Sequence, residues 1–244
     1  MAKHCQEQGY AGIKGNPLES RTWPADESAV QSSLAGIAAI RQAVGDEFDI
    51  MLDAHGSPTP ELSISLARQV APYRPLFFEE PVKPGSVEAL LAVTQASAVP
   101  IATDEKIFTL REFEPLIERR ACAVLQPDVT HCFGMTTLVE IARRAEHAQM
   151  QMAPHNVAGP VDYAATLHAD AVMNNFLIQE TTKGYIEAYG KCAEHDFVVE
   201  DGYIGLSDKP GLGIEVKETD LADLPYESIA YRQYRHADGS WKGW

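Results

Sequence analysis

Apolar runs that stop at an acid recur in this chain at one repeat length. Ile50-Met51-Leu52 ends at Asp53, Leu76-Phe77-Phe78 ends at Glu79, and Val99 to Thr103 leads into Asp104-Glu105. Asp53, Glu79 and Glu105 stand about 26 residues apart, close to one strand–helix unit of a barrel of roughly 250 residues. The ladder continues with Asp128 after Val124-Leu125-Gln126-Pro127, His155 after Met152-Ala153-Pro154, and Glu180 after Leu177-Ile178-Gln179. Solvated strand ends explain one or two such positions, not six. In parallel barrels the chemistry sits at the C-terminal ends of the strands. The pattern therefore predicts one rim that gathers groups able to bind metal or move protons.

Between the strands lie helical segments. Val30, Leu34, Ile37 and Val44 share one face of a helix over Glu27 to Val44, which Gly45 closes. Further helices are expected at Thr59–Tyr73, with Pro60 in the first turn, at Ser86–Ser97, after Thr109, from Met135 through His147, and at Gly159–Met173. Thr109 with Glu112 three places on is a capping-box pattern. Strands are expected at Ala11–Lys14, Phe48–Asp53, Pro75–Glu79, Val99–Thr103, Ala123–Gln126, Gln151–Ala153 and Phe176–Gln179. This alternation implies an α/β, TIM-like parallel barrel. Seven strands are one fewer than closure wants, so the first strand is expected to lie upstream of Met1. Residues 1–182 form the incomplete barrel in this division, and 183–244 form a tail.

The 244 residues carry a net charge of −15, which disfavours nucleic acid and anionic membrane surfaces. No apolar run reaches the roughly 18 residues of a membrane span. Four scattered cysteines without C-x-x-C spacing suggest reduced thiols in a cytoplasm rather than a disulfide framework or zinc site. Nothing marks Cys132, the one nearest the rim, as activated.

Three carboxylates without cysteine or clustered histidine favour a hard cation, Mg2+ first and Mn2+ next. Asp53 and His55, two apart, can both face the barrel centre, which places His55 for proton transfer. Glu79 and Glu80, being adjacent, are expected to face opposite sides. His155 ends the strand after the one bearing Asp128, and an aspartate that fixes the imidazole tautomer suits a general base. Lys14 either adds positive charge to the site or snorkels at the surface. His131, His147, His168 and His195 end no apolar run and read as ordinary helix or loop residues.

Together, Asp53-Ala54-His55-Gly56, Phe77-Phe78-Glu79-Glu80-Pro81-Val82, Ala102-Thr103-Asp104-Glu105, Leu125 to His131, Ala153 to Pro160 and Gln179-Glu180 resemble the enolase superfamily. Within it they are similar to the mandelate racemase/muconate lactonizing enzyme subgroup, and there to acid-sugar dehydratases of the D-galactonate type. The tail's Pro210-Gly211-Leu212-Gly213 and Asp238-Gly239-Ser240 fit as well. The resemblance implies a magnesium-dependent lyase that turns a small sugar acid into a 2-keto-3-deoxy acid through an enediolate. It implies metal binding by Asp53, Glu79 (the first of its pair) and Glu105, proton abstraction by His155 held by Asp128, and protonation of the departing hydroxyl by His55. Glu180 would bond the substrate. Lys14 and Asn16 lie where racemases of the subgroup carry Lys-x-Lys, and Asn16 in place of the second lysine favours dehydration.

Two departures stand out. Asp104 replaces the family's usual glycine and is expected to add charge beside the metal. The family's N-terminal capping domain is expected to be missing along with the first strand. Open edges near Ala11 and Phe176 would favour a homo-oligomer. A racemase or epimerase of the same subgroup, and a non-catalytic barrel that binds metal weakly, are the other readings.

Overall fold

The computed structural model describes residues 1–18, 27–182 and 184–222. Six parallel strands stand in chain order, β1 (Gly12–Gly15), β2 (Asp49–Asp53), β3 (Phe77–Glu79), β4 (Ile101–Thr103), β5 (Val124–Leu125) and β6 (Gln151–Met152). Helix α1 (Ala2–Glu7) precedes them. The others are α2 (Glu27–Val44), α3 (Pro60–Val70), α4 (Val87–Ala96), α5 (Leu110–Glu118), α6 (Met135–His147) and α7 (Pro160–Asp170). The α/β alternation is therefore as expected.

Strand parity sorts the core into two layers. Leu52, Phe78, Ile101, Leu125 and Met152 turn outward and pack with Leu66, Val93, Phe113, Leu138 and Ile141 of the helices. Each such apolar side chain stabilises by roughly 1.5–3 kcal/mol. Met51, Phe77, Ala102, Val124 and Ala153 form a separate inner cluster. Asp53 lies two residues after Met51 and Glu79 two after Phe77, so period-2 alternation sends both acids to the inner side.

The seventh expected strand is reduced to one parallel bridge, Met152 to Phe176. Met152 N–H donates to Asn175 O and Leu177 N–H to Met152 O, each at 2.8 Å. The next rung would need an N–H from residue 154, which is proline, and the ladder stops there.

Helix starts follow their local chemistry. Thr59 Oγ1 accepts from Leu62 N–H at 3.4 Å, with Pro60 in the first turn. At α5 the capping box is complete, with Thr109 N–H donating to Glu112 at 2.8 Å. Thr109→Ala is expected to cost about 1 kcal/mol, read as a lower midpoint of thermal unfolding.

Beyond residue 182 come α8 (Tyr185–Tyr189) and four two-residue strands, β7 (Ala193–Glu194), β8 (Val199–Glu200), β9 (Tyr203–Ile204) and β10 (Glu215–Val216), then α9 (Glu218–Ala222). Ile186, Tyr189 and Phe197 pack on Tyr163, Ala164 and Leu167 of α7. Asp238-Gly239-Ser240 lies outside the described residues. No helix among the described residues is long and apolar enough to cross a membrane.

Candidate active site

The C-terminal rim opens into a cavity of about 860 Å³ whose lining includes Lys14, Asp53, His55, Glu105, His155 and Glu180. β5 and β6 extend past their last ladder rungs to a bridge between Asp128 and His155. There His155 Nδ1 lies 2.8 Å from Asp128 Oδ2. Since a carboxylate only accepts, Nδ1 carries the proton and Nε2 faces Glu105 Oε2 at 3.3 Å. Burial disfavours the imidazolium, yet the Asp128 bond and the charges of Glu105 and Glu180 outweigh it and hold His155 up to about 8. Burial also works against charge on Asp128, but His155 and Thr130 bond it and keep its carboxyl well below the usual range. Asp128 Oδ1 in turn accepts from Thr130 N–H at 2.8 Å and His131 N–H at 3.2 Å.

Asp53 accepts from the His55 backbone N–H at 2.9 Å and lies 3.1 Å from His55 Nε2. His55 holds a positive φ of 51°. Its side chain is 44% exposed, against 9% for His155, so one imidazole faces the open cavity and the other its wall.

Lys14 does not snorkel. Its Nζ donates to Glu79 Oε1 and Oε2 at 3.0 and 2.7 Å and pairs with Glu180 Oε1 at 2.8 Å. Burial opposes its charge, but Glu79, Glu180 and Asp53 raise its pKa well above the ordinary value. Burial pushes Glu79 upward, and Asp53 and Glu180 push it further against the pull of Lys14. Glu180 also accepts from Asn156 N–H at 3.1 Å. Asn16 lines the cavity, but its Oδ1 accepts from Leu18 N–H at 2.8 Å and caps its own loop.

Two residues depart from strand alternation. Glu80 has φ 43° and is buried like Glu79, so strict opposition does not govern the pair. It bonds Lys106, and burial with Glu105 nearby raises it to about 7. Asp104, two residues after inward-facing Ala102, has φ 97°, a backbone conformation that glycine holds without steric cost. This turn shifts the side-chain phase by one, so that Glu105 rather than Asp104 meets His155. Burial raises the Asp104 carboxyl to about 7, while Thr103 bonds it at 3.2 Å. Much of the charge expected there is thereby suppressed near neutrality. Cys132 is buried and its thiol is pushed up to about 12, which makes it inert.

Asp53, Glu79 and Glu105 end three adjacent strands, but they do not meet at one point. Among the described residues no cluster of three His, Cys, Asp or Glu stands at ligand spacing. Like charges separate, and each acid takes a nearby donor: Asp53 the His55 imidazole, Glu79 Lys14, and Glu105 His155 and Lys106. The donor set is all carboxylate and partly or fully buried, which fits a hard divalent ion that relieves this repulsion.

The sequence missed Asn156, Asp162, Lys106 and His131. Asn156 Nδ2 donates to Asp162 and, at 3.0 Å, to Thr166 Oγ1, which steadies the residue after His155. Its place in Ala-Pro-His-Asn, next to a strand-end histidine, is the signal that could have found it.

Parallel strands in chain order, with acids, an Asp–His pair and a buried lysine at their C-terminal ends, place the chain among α/β-barrel domains with polar chemistry on one rim. More narrowly, the Enolase C-terminal domain-like family matches residues 1–220, and the chain belongs to that family. It is 35% identical to a D-galactonate dehydratase of Ralstonia pickettii (strain 12J), aligning 99% of this chain with 65% of the relative. A D-galactonate dehydratase of Cronobacter sakazakii is 33% identical over the same shares. The crystal structure of a mandelate racemase/muconate lactonizing enzyme-like protein from Roseovarius sp. TM1035 matches with a TM-score of 0.83 at 35% identity, over 93% of this chain and 58% of that one. The chain thus spans 65% of the length of the two dehydratases, short of two-thirds.

Proposed function

We propose that this chain carries the catalytic barrel of a magnesium-dependent dehydratase of a sugar acid, with D-galactonate the first substrate to try. The observation that carries the reading is the buried Asp128–His155 pair in contact with Glu105, in a cavity that Asp53 and His55 also line. The relatives named D-galactonate dehydratase support the substrate class.

Asp53, Glu79 and Glu105 would hold Mg2+, or Mn2+ in its place. When bound, the ion supplies positive charge against the substrate carboxylate and the charge that develops beside it. Neutral His155 takes the proton alpha to that carboxylate on Nε2, while Asp128 keeps Nδ1 protonated and stabilises the imidazolium that forms. His55, supported by Asp53, gives a proton to the beta-hydroxyl, which departs as water. The resulting enol becomes the 2-keto-3-deoxy acid. Lys14 and Glu180 would position the substrate, with Asn16 at the cavity edge. In this reading residues 1–182 form the barrel and 183–244 the tail. The protein works in the cytoplasm as a homo-oligomer that covers the outer edge of β1.

The test is release of 2-keto acid from D-galactonate and related aldonic and aldaric acids with MgCl2, followed against pH. Because the base must be neutral, the rate is expected to rise as pH is raised and His155 loses its proton, at a lower pH than the metal-free value of about 8, since Mg2+ on Glu105 offsets a charge that raises it. The stability linkage runs the other way. The raised His155 pKa stabilises the fold fully below about 6.5, and that contribution is lost as pH rises through about 8. Absence of keto acid with every acid in the screen, at every pH, would overturn the proposal.

A further inference from the structure

His131 ends no strand and belongs to no acid–base pair, yet it touches both halves of the site. Its backbone N–H donates to Asp128 Oδ1 at 3.2 Å. Its ring Nδ1 lies 2.8 Å from the carbonyl oxygen of Glu105. A carbonyl only accepts, so Nδ1 carries hydrogen and donates. The imidazole lies nearly parallel to that of His155, with ring centroids 6.1 Å apart and planes 23° from parallel. Its other flank meets Phe108, at a centroid distance of 5.5 Å. One side chain therefore joins the loop after β4, which carries Glu105, to the loop after β5, which carries Asp128.

This tie has work to do. Asp104 leaves β4 with φ 97°, and that turn aims Glu105 toward the site. Such a conformation in a non-glycine residue is strained and persists only where neighbouring contacts hold it. The His131 bond is made to the carbonyl of Glu105 itself, the residue that follows the turn.

We infer that His131 is a positioning residue that locks the Glu105 loop onto the Asp128–His155 pair, and so fixes both the carboxylate and the base against each other. The inference rests on the proposed function for its catalytic consequence but not for its structural one. Supporting groups of this kind typically cost 10–100-fold in metal affinity or activity when removed.

His131→Ala and His131→Asn form the test, because an asparagine amide can restore a donor near the place of Nδ1. In His131→Ala, amide hydrogen exchange over residues 104–108 of the metal-free protein is expected to speed up about tenfold. The dissociation constant for Mg2+ by calorimetry is expected to rise roughly tenfold. If the wild type releases keto acid from D-galactonate, kcat should fall by about the same factor while KM changes less than threefold. His131→Asn should bring each quantity most of the way back. A wild type that makes no keto acid defeats the functional proposal alone, and the exchange measurement still decides the role of His131. Unchanged exchange in His131→Ala, or equal losses in the alanine and asparagine variants, would overturn the inference.

Discussion

His155→Asn is expected to lower the exchange of the alpha-proton of D-galactonate with deuterium oxide by on the order of 10³-fold, with magnesium affinity nearly intact. Asparagine removes the basic nitrogen but offers an amide N–H where Nδ1 donates to Asp128 at 2.8 Å. Asp128 therefore stays bonded, and it retains its contacts with Thr130 and His131. The fold loses little while the proton acceptor disappears. Exchange within tenfold of wild type would take the base role away from His155, and a large loss of magnesium affinity would mean that the side chain acts on the metal ligands instead.

The sequence makes some of this site legible and hides the rest. Asp53, Glu79, Asp128 and His155 were readable because each ends a run of alternating or apolar residues, and strand parity fixes the face. Glu105 was readable from its spacing of 26 residues, although the reason it faces inward, the turn at Asp104, is a backbone angle that no pattern announces. The same holds for Glu80, which escapes alternation through its own positive φ. His131 stayed hidden because it sits in a loop, where periodicity carries no information and only tertiary contact gives the ring a job. Helix limits came through where a cap marks them, as at Thr59 and Thr109. The shortened seventh strand was predictable in principle, since Pro154 removes the N–H its next rung requires. Lys14 was ambiguous for a different reason: whether it is wet or buried depends on Glu79 and Glu180, which are distant in sequence and meet it only in the folded sheet.

That meeting sets the second large effect. Above about pH 8, Lys14→Met is expected to destabilise the metal-free protein by about 3–5 kcal/mol, because it strands a buried carboxylate. Glu79 is fully buried, and the charges of Asp53 and Glu180 already push against its own. Without the ammonium, Glu79 must keep a proton in the folded state to a higher pH than in the unfolded chain. A carboxyl with a raised folded pKa binds more protons folded than unfolded, so stability falls as pH rises above the unfolded value of about 4.3. Glu79 is already raised to about 8 in the wild type, so both proteins share this loss up to that pH, and the deficit of the variant should grow as pH rises through about 8, as read by denaturant unfolding at several pH values. Adding Glu79→Gln to Lys14→Met should recover most of this pH-dependent loss at about pH 9, since the fully buried charge is then gone, while Glu180, which also loses Lys14, keeps its bond from Asn156 N–H. Magnesium should also stabilise Lys14→Met more than wild type, because a cation held by Asp53, Glu79 and Glu105 returns positive charge to the same pocket. A Lys14→Met deficit that is independent of pH and untouched by magnesium would mean that lost packing, and not stranded charge, is what the lysine prevents.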